Sequence, residues 1–278
     1  MRRTIAVAGL LLGLAACGDV GSPESAPATT AAAEATTTTV GAETTTTAAP
    51  ESDLTGDLTV FAAASLTDAF TQMGDAFMEA NPGVTVTFNF AGSSALRDQI
   101  LGGAPADVLA TASGSTMQAV VDGGAADEPD NFVENQLQIA VPAGNPGNVT
   151  GLADFANDAL LIGLCAEEVP CGQFGREALE NAGITPAIDT NEPDVRSLLT
   201  KIESGDLDAG IVYRTDVEAA GDQVEGIEIP ADQNVLATYP IATLTGTANA
   251  DAAAAFVAFV LSDAGQEIMA SYGFDAAS

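Results

Sequence analysis

The sequence predicts an α/β protein of two lobes, each a mixed, mainly parallel sheet flanked by helices. Two strand-helix units follow one another from Leu58, the arrangement that gives parallel strands covered by helices. Strand and helix signals then keep alternating to the C-terminal end. About 220 residues carry this pattern, enough for two lobes of about 100 residues each.

In chain order, residues 1–17 (MRRTIAVAGLLLGLAAC) join two arginines, a short apolar run and small residues before a cysteine. This is the layout of an export signal, and Ile5 to Ala16 is too short to span a bilayer as a helix. Leu14-Ala15-Ala16-Cys17 resembles the bacterial lipoprotein box, which makes Cys17 the expected lipidated residue and anchors the chain to the outer face of the cytoplasmic membrane. Residues 18–56 read as a flexible tether. Ala and Thr supply 19 of the 33 residues from 18 to 50, so no core can form there.

The folded part opens with the buried-strand run LTVFAAA, followed by a helix from Ser65 to Glu79 with apolar residues at Leu66, Ala69, Phe70, Met73 and Phe77. Asn81-Pro82-Gly83 stops that helix. VTVTFNF reads as a strand, SSALRDQILGG as a helix closed by glycines, and ADVLATA as a strand. Further strands are NQLQIAVPAG, LIGL, AGIVY and YPIATLTGT. Helices are expected over CGQFGREALENAG, EPDVRSLLTKIESG, Asn249 to Leu261 and Asp263 to Tyr272. Residues 57–138 with 238–278 form the expected first lobe, and 139–237 the second.

Composition excludes several chemistries. There are 39 acidic residues against 7 basic ones, a formal charge of -32, so nucleic acid is not an expected partner. His and Trp are absent and Lys201 is the single lysine, which removes histidine triads, His-rich metal cages and the GK[ST] phosphate loop. Lys201 itself falls on a helical stretch and reads as a surface charge.

What stands at the helix starts is more informative. Ser65, Ser93-Ser94, Pro170-Cys171-Gly172 and Glu192-Pro193-Asp194 all lie at strand-to-helix turns. In open α/β sheets such turns sit at the carboxyl ends of strands, where ligands bind. Free N–H groups and the helix dipole favour an anion there, so this acidic chain has a way to bind one with neutral groups alone. Ordinary N-capping explains each serine singly.

The segments AAASLTDAF and FAGSSALRDQILGGAPADVLATA resemble the signature segments of the periplasmic molybdate-binding proteins of ABC transporters. The resemblance continues through VPCGQFGREAL, EPDVRSLLTKIESGDLDAGIVYRTDV, YPIA and the terminal YGF, covering Leu58 to Phe274. It implies the type II periplasmic-binding-protein fold with the ligand in the interlobe cleft. It also implies a monomeric, non-enzymatic receptor that delivers molybdate or tungstate to an ABC permease, with no cofactor and no metal site beyond the oxyanion. The implied ligand set is the hydroxyl and amide of Ser65 and of Ser93, the amides of Cys171 and Val195, and the phenol of Tyr213. The family often has alanine where Cys171 stands, but the contact is through the backbone. Ser94 and Thr67 rank as supporting groups or extra caps. Arg97, Arg176, Arg196 and Arg214 read as solvated or dipole-compensating charges, since the family's site uses no arginine.

Three cysteines in an exported chain fit a lipid-bearing Cys17 and a disulfide between Cys165 and Cys171, the latter steadying the loop that carries the Cys171 amide. Two alternatives stay open from residues alone: a receptor for another small anion, and an enzyme with Ser65 or Ser93 as nucleophile. The first would ordinarily want an arginine clamp for a carboxylate, and the second lacks a histidine to activate the serine.

Overall fold

The computed structural model describes residues 54–278. The signal segment, Cys17 and the tether up to residue 53 lie outside the described residues. Strand β1 (Thr55–Ala63) takes in the last two residues of the expected tether, because Thr55 and Gly56 already pair with Gly83 and Val84.

The 3-10 turn Ala64–Leu66 leads into α1 (Thr67–Ala80), then come β2 (Gly83–Ala91), α2 (Ser93–Leu101), β3 (Val108–Ala110), α3 (Gly114–Asp122) and the long β4 (Asp130–Pro142). β1 pairs in parallel with β2 and with β3, Ala63 opposite Ala91 and Ala62 opposite Ala110. The apolar positions of α1 that the spacing selects, Ala69, Phe70, Met73 and Phe77, are all buried. They meet a cluster in which Phe77 and Phe256 stand edge to face with centroids 5.3 Å apart. Each such ring contributes about 1.5–3 kcal/mol by leaving water.

The next stretch repeats the plan: β5 (Ile162–Cys165), α4 (Pro170–Asn181), β6 (Thr190–Glu192), α5 (Val195–Glu203) and β7 (Ala209–Tyr213), followed by α6 (Arg214–Ala220) and β8 (Val224–Glu228). β5 is parallel to both β6 and β7. Leu198, Leu199 and Ile202 of α5 are buried with Ile211 and Val212 of β7 in the core.

The chain then returns. β9 (Leu236–Thr243) pairs antiparallel with β3, Ala110 opposite Ile241, and with residues 130–136 of β4. α7 (Ala250–Leu261) packs on β1 and β9, α8 (Asp263–Ser271) packs on α1, and β10 (Asp275–Ala276) pairs with β4. The strand order is β2-β1-β3-β9-β4-β7-β5-β6. β4 changes partners along its length: up to Gln136 it faces β9, and from Leu137 it faces β7, Leu137 opposite Tyr213. Among the described residues no single helix is long and apolar enough to cross a membrane.

Five of the strands and helices are not anticipated by the sequence pattern: α3, α6, β6, β8 and β10. α3 owes its start to Ser113, whose side chain accepts the Thr116 N–H. β6 and β8 are short and polar, and they exist through pairing with β5 and β4.

Candidate functional site

The parallel strands β1, β2 and β3 end on one side, and Ser65, Ser93 and Ala112 follow directly. β5, β6 and β7 likewise deliver Cys171, Val195 and Tyr213. These residues, with Ala63, Ala64, Gly92, Val169, Pro170 and Asp194, line one cavity with an accessible volume of about 20 Å³. That is far below the usual 300–1,000 Å³ range of sites for drug-sized ligands, so the site suits a small ion. The structure therefore brings all five residues of the implied ligand set together.

Each brings a donor. Ser93 opens α2, and its Oγ accepts the Ala112 N–H at 3.1 Å, leaving the hydroxyl proton to be given elsewhere. Ser65 Oγ is 2.9 Å from the hydroxyl of Tyr239 in a fully buried contact. Burial holds the Tyr239 phenol above the usual tyrosine range, so it stays protonated and is able to donate to Ser65 Oγ. Ser93 Oγ thus has a donor behind it, and a proton given by Tyr239 to Ser65 Oγ would likewise free the Ser65 proton for the cavity. Tyr239 is the support that sequence reasoning missed. It is 174 residues from Ser65, and only the return of β9 beside β3 brings the two together.

The amides come from helix starts. Ser93 and Val195 are the first residues of α2 and α5, and Cys171 the second of α4, so helix geometry gives their N–H groups no intrahelical acceptor. Asp194 caps α5, its Oδ1 taking the Ser197 N–H at 2.8 Å and its Oδ2 the Ser197 hydroxyl at 3.1 Å. This carboxylate on the cavity wall is thereby engaged with the cap.

Tyr213 ends β7, is 1 % exposed, and its hydroxyl makes no hydrogen bond of good geometry, having only a weak contact with the Tyr239 hydroxyl. Burial, the nearby Tyr239 and Asp216 hold its phenol well above the usual range, so it is a donor. Its ring stands at 67° to that of Tyr239 with centroids 5.9 Å apart, and Phe274 packs on the other ring at 5.5 Å. Its N–H donates to Asp216 Oδ2 at 3.0 Å.

Cys165 and Cys171 are joined in a disulfide with Cα atoms 5.7 Å apart, closing the turn between β5 and α4. Arg176 is not a solvated charge: its Nη1 donates to the carbonyls of Cys165 at 2.8 Å and Gly172 at 2.9 Å, holding the same turn. Arg214 ties α6 to the C-terminal segment through the Gly273 carbonyl and Asp275. Arg196 pairs with Asp68 and Asp216, and only Arg97, bonded to its neighbour Asp98, behaves as a surface charge. The departures share one cause: a guanidinium beside buried carbonyls or carboxylates finds partners that periodicity does not reveal. Lys201 pairs with Glu192 at 2.6 Å. Thr67 turns its hydroxyl to the Ala64 carbonyl at 2.7 Å and lies outside the cavity lining, as does Ser94. Among the described residues no cluster of three His, Cys, Asp or Glu is placed to hold a metal ion.

Against known proteins, a family model for bacterial extracellular solute-binding proteins matches residues 58–275. The chain is 39 % identical over 218 residues to the molybdate-binding protein ModA of Mycobacterium tuberculosis, covering 78 % of this chain and 84 % of that one. It is 33 % identical over 230 residues to the molybdate-binding protein ModA of Haemophilus influenzae, covering 79 % and 90 %. Among solved structures it is similar to the periplasmic molybdate-binding protein of Azotobacter vinelandii, with a TM-score of 0.71 at 18 % identity over 80 % of this chain and all of that one.

Proposed function

This chain belongs to the bacterial extracellular solute-binding proteins, and from that premise we propose that it captures molybdate or tungstate and delivers it to an ABC importer. The observation that carries the reading is the Tyr213 hydroxyl: buried, without a hydrogen bond of good geometry, and on the wall of a cavity shared with Ser65, Ser93, Cys171 and Val195. An unpartnered buried hydroxyl costs about 1–3 kcal/mol, and an oxyanion accepting its proton removes that cost.

The ligand takes protons from three hydroxyls and from the amides of Ser65, Ser93, Cys171 and Val195. Hydrogen bonds to a charged group contribute about 1.5–3 kcal/mol each, which offsets desolvation of the dianion without any cationic side chain in contact. A set of fixed donors also selects. A smaller tetrahedral ion does not reach all of them at once, and a protonated one turns a donor toward a donor. In this reading Ser65 and Ser93 act as hydrogen-bond donors and not as nucleophiles.

Residues 57–138 with 238–278 form one lobe and 139–237 the other, the hinge lying where β4 changes partners and where β9 returns. Ser65 and Ser93 belong to the first lobe, and Cys171, Val195 and Tyr213 to the second, so the full donor set exists only when the lobes close. The disulfide preorganises the Cys171 edge. Lipid on Cys17 holds the monomeric receptor at the outer face of the membrane.

The reading is tested with Ser65→Ala, Ser93→Ala and their combination in the full chain. Each single change is expected to weaken molybdate binding by about 1–3 kcal/mol, and to lower ligand-free stability by up to a similar amount because the Tyr239 hydroxyl or the Ala112 N–H behind it loses its partner. Wild-type affinity in the double variant sinks the site.

A further inference from the structure

Outside the cavity lining, one cation connects α1 to α5 and α6. Arg196 follows Val195 directly. Its Nη2 is bonded to Asp68 Oδ2, on the first turn of α1 and three residues past Ser65. On its other side Nε lies 3.6 Å from Asp216 Oδ1, an ion contact without a hydrogen bond at either atom. The second oxygen of Asp216 holds the N–H of Tyr213. Arg196 thus stands between the helix that follows one ligand residue, the helix that begins with a second, and the carboxylate that fixes a third.

We propose that Arg196 is a positioning residue that latches the binding cavity shut through Asp68, using Asp216 as its anchor. The proposal rests on the two-lobed oxyanion capture argued above. Arg196 and Asp216 sit on the same side of the partner exchange in β4, whereas Asp68 sits on the other, so the Asp68 contact exists only in the closed form. Exposed ion pairs contribute little, largely because two long side chains must be ordered. Here one side is already ordered: the Asp216 side chain is fully buried and that of Arg196 is 28 % exposed. Its planar guanidinium presents separate N–H groups to the two carboxylates, which a lysine cannot do.

The groups facing Asp216 are Arg196 from α5, Asp194 at the cap of α5, Asp68 from α1, and the phenols of Tyr213 and Tyr239. Arg196 is the cation among them, so wherever Asp216 is ionised, above about pH 7, rotating it away to follow Asp68 on opening would leave a buried carboxylate facing two others. Separation of the lobes therefore breaks the Asp68 bond and leaves Arg196 in place. A contact present in one of two states biases the equilibrium toward that state without touching the ligand. Its expected signature is slower release, since most affinity differences within one site lie in dissociation.

The experiment uses the full chain as wild type, Asp68→Asn, Arg196→Lys, and Asp98→Asn, which removes an equal charge from the surface pair with Arg97. Two quantities are read: the release rate of labelled molybdate chased with unlabelled molybdate, and the small-angle scattering radius of the ligand-free protein. Asp68→Asn is expected to release about tenfold faster and to have a larger ligand-free radius, with Arg196→Lys shifted the same way and Asp98→Asn matching wild type. Release from Asp68→Asn within about twofold of wild type overturns the latch, as does Arg196→Lys releasing as slowly as wild type. Should wild type retain no molybdate, the capture reading fails by itself and scattering decides the latch: equal ligand-free radii overturn it.

Discussion

Gly92 gives the sharpest test of closure, because its replacement by alanine touches neither ligand nor backbone preference. It precedes Ser93 with φ -59° and ψ 135°, a conformation open to any residue. A Cβ added there would lie 2.5 Å from the carbonyl oxygen of Pro193, which precedes the cavity residue Asp194, and 3.0 Å from Val169 Cγ1 on the cavity wall. Ordinary contact begins near 3.4 Å, so the two walls must stand back by about 1 Å. Hydrogen bonds near 2.9 Å then stretch past about 3.5 Å and are lost, and the three far-side donors, Cys171 N–H, Val195 N–H and Tyr213 O–H, are all affected. Allowing about 1 kcal/mol for each after water takes over, Gly92→Ala is expected to bind molybdate about 100-fold more weakly. The ligand-free melt stays at or slightly above wild type, since alanine lowers the entropy of the unfolded chain. Calorimetric titration beside a thermal melt reads both. Binding within about threefold of wild type refutes the reasoning, because it means that the walls need not approach so closely.

Other consequences separate ligand contacts from structural ones. Tyr213→Phe is expected to cost about tenfold in affinity while leaving ligand-free stability unchanged or about 1 kcal/mol higher, since the hydroxyl has no hydrogen bond of good geometry to lose; a lower ligand-free melting temperature contradicts this. Cys165→Ser with Cys171→Ser is expected to destabilise by about 2 kcal/mol in urea unfolding and to weaken the oxyanion; unchanged affinity counts against preorganisation. Asp216 is pushed by burial, against the pull of Arg196, from 3.8 up to about 7. Because the folded value is the higher one, its contribution to stability is full below about pH 4 and is lost as pH rises through about 7. The stability of Asp216→Asn relative to wild type therefore improves between about pH 4 and 7, by at most about 4 kcal/mol, and a difference flat with pH refutes this.

The strand and helix alternation was legible wherever a segment buried an apolar face, as in α1 with Phe70, Met73 and Phe77. It was silent on β6, whose Thr-Asn-Glu run has no face to bury and depends on β5 for its hydrogen bonds. α3 carried a readable signal in Ser113 followed by Met117 and Val120, hidden between a strand and a pair of glycines. For the site, serines and prolines at helix starts were visible, and the family resemblance named the five residues that the fold brings into one cavity. The second layer was not visible. Tyr239 behind Ser65, Asp216 behind Tyr213, Arg176 behind the disulfide turn and Asp68 on Arg196 are contacts made by topology, and no local pattern encodes them. No local pattern marks Gly92 either, although an added Cβ there would lie 2.5 Å from the Pro193 carbonyl oxygen.

The most direct test of the central claim is calorimetric titration of the full chain with molybdate, tungstate, sulfate and phosphate in turn. Neutral donors set for a large, fully deprotonated tetrahedral ion predict tight one-to-one binding of the first two and no heat from the others. Silence from all four, or sulfate held as tightly as molybdate, would contradict the account.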